Sequence, residues 1–309
     1  MKAGLGQIGC VFLLIVVAAV AADDVLPPVP EGAQAIALDG RVLYAAEAGA
    51  EALSKLDAAR SDYDTNPDDA DKIIWLGRRL AYAGDYRGAI RTFSVGMSKH
   101  PGDARMYRHR GHRYITIREF DRAIADLEKA AELIRGVENE VEPDGQPNDL
   151  GIPLSSLHGN IWYHLGLAYY LKQDWDNALR AYSIGFDISR NDDNRVSTTH
   201  WRYMILRRMG RAADAERVLD GISADMTIVE NDSYHSLCLF YKGELSPGEL
   251  LEGTADSPAG AAVRYGAANW HYVNGDVETA RRMLTELTST SSWAGFGYVA
   301  AEADLAAMD

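Results

Sequence analysis

Apolar residues recur at three- and four-residue spacing along most of this chain, and runs of alternating Val, Ile and Thr bounded by turns are scarce. The first pattern is that of one buried helix face, the second that of strands, so the chain reads as all-α. The helical segments echo one another. Gly77, Gly84, Tyr86, Ala89 and Phe93 are answered 34 residues later by Gly111, Arg118, Phe120, Ala123 and Leu127, and again by Gly166, Gln173, Trp175, Ala178 and Tyr182. A period of this size marks stacked supersecondary units, none of which can bury its apolar face alone. Small Gly and Ala side chains stand where two helices approach closely, and the large side chains fill the space they leave.

The repeats continue in weaker form. Gly210, Gly243 and Gly275, spaced 33 and then 32 residues apart, read as turns of further helix pairs. Residues 291–309, with Trp293, Phe296, Tyr298, Ala301 and Leu305, read as a closing helix that caps the stack with a polar outer face. Ahead of the repeats, residues 23–37 are Pro-rich and aperiodic, a linker. Residues 38–62 read as an N-terminal capping helix, and Asn66-Pro67-Asp68-Asp69 supplies a turn followed by helix-start signals.

The pattern quoted above resembles the tetratricopeptide repeat family. Leu76-Gly77, Leu80, Gly84, Tyr86, Ala89, Phe93, Gly96 and Pro101 make one unit; Tyr107, Gly111, Tyr114, Phe120, Ala123, Leu127 and Ala130 a second; Trp162, Leu165-Gly166, Tyr169, Trp175, Ala178, Tyr182 and Gly185 a third. Repeats one and two occupy residues 66–135, and repeats three to six, increasingly degenerate, residues 159–290. The resemblance implies a right-handed superhelical solenoid of helix-turn-helix units whose first helices line a concave groove. It implies a non-enzymatic adaptor for a peptide or protein partner. The Lys/Asn set with which the family reads terminal carboxylates is not reproduced here.

Between repeats two and three the period breaks. Ala123 and Ala178 are 55 residues apart, 21 more than one period, and residues 136–158 hold the excess. The insertion carries Glu138, Glu140, Glu142, Asp144 and Asp149 with no Lys or Arg. Long loops within compact domains are often functional, so a solvated excursion and a lid over the groove are both open readings.

Charge sharpens the question of a ligand. The net charge of −14 argues against nucleic acid as a partner. Yet residues 104–118 contain five Arg, two His and no carboxylate. Helical spacing and the repeat register place Arg78, Arg105, Arg108, His109, His112, Asn160, Tyr163, His164, His200, Trp201, Arg207 and Arg208 on the groove side of successive first helices. Such a strip fits an acidic or carboxylate-bearing partner, because Arg clamps carboxylates with parallel hydrogen bonds. The competing reading is that these arginines pair with carboxylates of their own fold. A metal-binding or hydrolytic envelope protein using His109, His112, His164 and His200 is a second class of function, although no H-E-x-x-H or C-x-x-C motif supports it and no cofactor is implied. A structural subunit of an envelope complex, using the convex face, is a third.

Lys2 followed by an apolar run over residues 8–22 reads as a secretory signal over residues 1–22, too short to cross a bilayer as a helix. The expected location is therefore periplasmic or secreted, with an uncleaved membrane anchor as the alternative. After cleavage Cys238 is the single cysteine, so packing and not a disulfide must stabilise the fold.

Overall fold

The computed structural model describes residues 25–252 and 254–308, so the N-terminal apolar run lies outside the described residues. In chain order the elements are β1 (Ala33–Ile36), β2 (Val42–Tyr44), α1 (Ala50–Thr65), α2 (Ala70–Tyr82), α3 (Tyr86–Lys99), α4 (Ala104–Thr116), α5 (Phe120–Leu133), α6 (Leu157–Leu171), α7 (Trp175–Asp187), α8 (Asp192–Arg208), α9 (Ala212–Arg217), α10 (Asp232–Tyr241), α11 (Pro247–Leu251), α12 (Pro258–Val273), α13 (Val277–Leu287) and α14 (Phe296–Met308). Helices α2/α3, α4/α5, α6/α7, α8/α9 and α12/α13 are antiparallel pairs stacked side by side, with α10 and the short α11 an irregular unit between them. None of the described helices is long and apolar enough to cross a membrane.

The repeat works as its spacing implies. A Cβ on Gly111 would stand 2.7 Å from Leu127 Cγ, and one on Gly166 2.7 Å from Tyr182 Cδ2; Gly77 meets Phe93 in the same way. The two helices of each pair therefore touch through a missing side chain, and the large residue opposite fills the space. The intervening turn needs a left-handed residue at one place per unit. Gly84, Gly210, Gly243 and Gly275 supply it with φ between 71° and 89°, but Arg118 and Gln173 adopt φ of 68° and 58° there.

Three expectations are corrected. Residues 33–44, expected to be the end of a linker and the start of a helix, form an antiparallel hairpin in which Ala33 faces Tyr44 and Ile36 faces Val42. The Asp39-Gly40 turn explains it: Gly40 has φ 86°, and Arg41 N donates to Asp39 Oδ1 over 3.0 Å. The N-terminal helix consequently begins only at Ala50 and runs past residue 62, to Thr65.

The third correction concerns the C-terminus. Helix α14 does not cap the end of the stack with a polar face. It packs against α12, α13 and α6, and its residues 297–304 are all buried, Glu302 and Asp304 included. Both carboxylates meet arginines of distant repeats: Glu302 accepts from Arg118 Nε and NH2 at 3.0 and 2.8 Å, and Asp304 pairs with Arg208 and accepts from Tyr265 Oη at 2.9 Å. The N-terminal hairpin joins the same place. Trp293 Nε1 donates to Tyr44 O at 2.8 Å, and Arg41 NH1 to Thr288 O at 2.8 Å. The coil of helices is thus closed on itself, and its hollow side is largely filled by its own last helix.

Candidate functional site: an arginine- and histidine-lined cavity

What the last helix leaves open is a cavity of about 370 Å³. Its walls come from the first helices of successive units: Arg78 and Tyr82 on α2, Arg108, His109, His112 and Arg113 on α4, Asn160, Tyr163 and His164 on α6, and Asn194, Ser197 and Thr198 on α8. Phe296 of α14 and Tyr234 of α10 complete it, with Ser155 and Ser156 from the end of the insertion. The α4 residues converge because positions three and four apart are neighbours on a helix, as Arg108 and His112, His109 and His112, and His109 and Arg113 are.

The positive charge of α4 is answered unevenly. Arg105 is taken up at the helix start, where NH1 meets Asp71 Oδ1 at 2.6 Å and NH2 meets Asp103 Oδ2 at 2.6 Å. Arg110 forms a two-pronged pair with Asp126 at 2.7 and 2.8 Å and donates to Ser94 Oγ. Arg108 pairs through NH2 with Glu142 of the insertion at 2.9 Å. Arg113 is different. Among the described residues no carboxylate pairs with it, and its guanidinium stands 5.6 Å from the centre of the Tyr86 ring. Enclosure, with repulsion from Arg108, pulls its pKa down to about 10, so at neutral pH it is still a cation. Arg78 lies over the Trp75 ring at 4.4 Å, and its Nε is buried without a hydrogen-bond partner.

The histidines are neutral. Burial first, and then the nearby arginine charges, hold His109, His112 and His164 well below the usual imidazole range. Arg108 NH1 can only donate to His109 Nδ1, 2.8 Å away, so that nitrogen accepts and Nε2 carries the hydrogen. His164 Nδ1 lies 2.6 Å from Asn160 O, which only accepts, so Nδ1 carries the hydrogen there. The His112 and His164 rings are in contact, with centres 4.2 Å apart, and both touch Phe296. Among the described residues no group of three or more His, Cys, Asp and Glu is placed to hold a metal ion.

Opposite the arginines, Trp201 Nε1 donates to Tyr163 Oη at 2.9 Å, and Tyr163 Oη lies 2.8 Å from Tyr234 Oη. The insertion lies beside the cavity. Its backbone pairs with the start of α6, Glu142 N donating to Ser155 O and Leu157 N to Glu140 O, both at 2.9 Å. Glu142 also accepts from Asn160 Nδ2. Gly145 lies against Tyr82 and the Arg78 guanidinium, and its carbonyl accepts from Arg79 NH1 at 2.9 Å. A smaller cavity of about 210 Å³ under the insertion shares Arg78, Tyr82, Arg108 and Asn160 with the larger one.

Of the twelve residues placed on the groove by spacing, Arg78, Arg108, His109, His112, Asn160, Tyr163 and His164 come together around this space. The other five do not line it. Arg105 turns to the rim and its two aspartates. His200 and Trp201 are buried behind Tyr163 and Tyr234, where His200 Nδ1 meets Tyr241 Oη at 3.2 Å. Arg207 bonds to Asn274 and Tyr203, and Arg208 to Asn269 and Asp304. The reason is α10 and α12, which pack against α8 beside the fourth unit, with Asp304 of the closing helix taking Arg208. Spacing did not single out Arg113, Tyr82, Ser197, Thr198 or Phe296. Arg113 carried a signal, four residues after His109 on the same helix, whereas Phe296 carried none, being more than 180 residues away from it in sequence.

The paired helices, the small-against-large contact repeated three times and the left-handed turn at a fixed place in each unit make this an all-α solenoid of helix-turn-helix repeats, the architecture that the tetratricopeptide resemblance implies. No protein-family model matches the sequence, and no curated protein does. Solved structures similar to the chain include YrrB, described as a TPR protein with an unusual peptide-binding site, at 16% identity over 76% of this chain and 92% of that one, with a TM-score of 0.44. MamA is similar at 16% identity over 64% and 90%, with a TM-score of 0.43. A tetratricopeptide repeat protein from Parabacteroides merdae is similar at 14% identity over 84% and 93%, with a TM-score of 0.49.

Proposed function

We propose that the protein is an adaptor that holds the carboxylate-bearing end of a peptide or protein partner in the cavity between α2, α4, α6 and the closing helix. One observation carries this reading. The strongly buried arginines Arg108, Arg110, Arg118 and Arg208 each have a carboxylate of the fold, while Arg113, enclosed in the cavity, has none among the described residues. A cation held in a low-dielectric space attracts an anion far more strongly than one in water. Neutral His109, His112 and His164 and the hydroxyls of Tyr163, Ser197 and Thr198 are suited to hydrogen-bond the rest of a polar group. Phe296 and Tyr234 offer apolar contact to a side chain beside it. The volume suits a few residues of a peptide terminus and not a long helix, since α14 already fills that part of the groove.

The proposed role is binding. Location outside the cytoplasm is part of the same proposal; it rests on Lys2 and the apolar run over residues 8–22, and N-terminal sequencing of the native protein should begin near Asp23.

The test of the site compares an N-acetylated pentapeptide library with a free terminal carboxylate against the same library amidated. The free-acid set is expected to bind, the amide set not, and Arg113→Met to weaken binding at least tenfold. Equal binding of both sets, or an unaffected Arg113→Met variant, would remove the reading.

A further inference from the structure

A second cleft lies on the other side of the solenoid, between α7, α8 and α9, with a volume of about 500 Å³. Its polar wall is Arg195, Thr199 and Arg202 on one face of α8, with Arg211, Asp214 and Arg217 of the α9 turn opposite. In a chain of net charge −14 this is a concentration of four arginines around a single carboxylate. Asp214 is already shared by Arg211 and Arg217. Arg195 and Arg202 have no ion-pair partner among the described residues; they stand 5.7 and 4.5 Å from the Phe186 ring centre. Asp187 is near enough to favour the charged form of Arg202 without pairing with it.

Two buried polar atoms on this wall lack partners. Arg202 Nε makes no hydrogen bond, and neither does Thr199 Oγ1, although Thr199 is fully buried and a helical threonine ordinarily bonds the carbonyl one turn back. Between the charges the lining is apolar: Leu179, Phe186, Val218 and Ile222. From Arg195 to Leu206 the wall follows α8 for eleven helical rises, about 16 Å. That is the length of about five residues of extended chain.

We infer that this cleft is a second docking site, and that its occupant is an extended segment of a partner protein in which acidic and apolar residues alternate. Carboxylates meet Arg195 and Arg202, and the apolar side chains lie on Phe186, Val218 and Ile222. A single small oxyanion would leave most of the trough and its apolar floor uncovered, and a long polyanion would meet the repulsion of the rest of the surface. The inference does not depend on the first cavity. With it, the molecule would hold one partner on each side of the same stack of helices.

The test uses fluorescein-labelled Glu-Leu-Glu-Leu-Glu amide, which has no terminal carboxylate to offer the first cavity, and reads fluorescence anisotropy with the full chain at low salt. Saturable binding is expected, weakened at least tenfold by Arg202→Gln and by Arg195→Glu and unchanged by Arg113→Met. Arg195 is exposed, so its substitution tests the site even if the half-buried Arg202 position does not tolerate change. Binding that survives both α8 substitutions, or that is lost with Arg113→Met, overturns the assignment. So does a thermal-shift response to inorganic phosphate that depends on Arg202 when the peptide itself does not bind.

Discussion

Acidification should destabilise this fold well before its carboxylates titrate, and His200 allows the effect to be sized. Its ring is fully buried, stacked on Tyr241 with centres 5.8 Å apart and tilted against Tyr234 at 5.0 Å. Burial alone pushes its pKa down to about 3 from an ordinary value of 6.5. The unfolded chain therefore takes up a proton near pH 6.5 that the folded chain refuses, and stability falls as pH drops through that window. At pH 5 the difference is about 1.5 pH units at 1.36 kcal/mol each, so His200 alone removes about 2 kcal/mol relative to pH 7.5. His109, His112 and His164 act in the same direction. His200→Phe keeps the stacking and loses the bond to Tyr241, costing about 1 kcal/mol at pH 7.5. It should then lose about 2 kcal/mol less than the parent on going to pH 5. Urea unfolding followed by tryptophan fluorescence at the two pH values gives the comparison, and the His200 ring proton in NMR gives a local check. An identical pH dependence in parent and variant, or a ring that titrates near pH 6.5, would refute the reasoning.

Further expectations follow from the turns, the closure and the cavity mouth. Gln173→Gly relieves a left-handed residue and should raise stability by about 0.5–1 kcal/mol in urea melts. Arg118→Gly relieves the same backbone strain but abandons buried Glu302, so it should cost about 3–5 kcal/mol instead; equal effects of the two substitutions would show that Arg118 does not act through Glu302. Gly166→Ala drives a methyl into the Tyr182 ring and should cost about 1–3 kcal/mol, visible as a lowered thermal midpoint. Glu142→Gln removes the carboxylate already seated on Arg108 and should tighten binding of a free-acid pentapeptide several-fold by calorimetry; weakened binding would mean that Glu142 holds the site together and does not compete for it.

The repeats were legible in sequence because one contact recurs: Gly77 on Phe93, Gly111 on Leu127 and Gly166 on Tyr182 each leave the same spacing on the chain. The hairpin was less so. Ala33–Ile36 and Val42–Tyr44 are too short for alternation to outweigh a nearby helical pattern, and only Asp39-Gly40 marked the turn. Half of the site followed from register, since Arg108, His109 and His112 had to share a face. What register could not supply was the placement of the last helix. An apolar helix with two acids serves equally as an outer cap or an inner filling, and the choice was made by Arg118 and Arg208, which are 184 and 96 residues from Glu302 and Asp304. That choice also took Arg208 out of any open groove, while α10 and α12 cover His200, Trp201 and Arg207.

An ordinary stack of repeats can grow from one end, each unit settling on the one before it as the ribosome extends the chain. Here the segment that locks the structure, residues 293–308, follows in sequence every repeat that it locks. Until residues 293–308 emerge, Arg118 and Arg208 have water in place of their acids, the hairpin lacks its anchor at Trp293, and the helices form an unfinished spiral. Loss of residues 293–308 would therefore not trim an edge; it would uncouple the N-terminal hairpin and the repeats of Arg118 and Arg208 from the segment that joins them, and turn a clasped ring back into a loose spring.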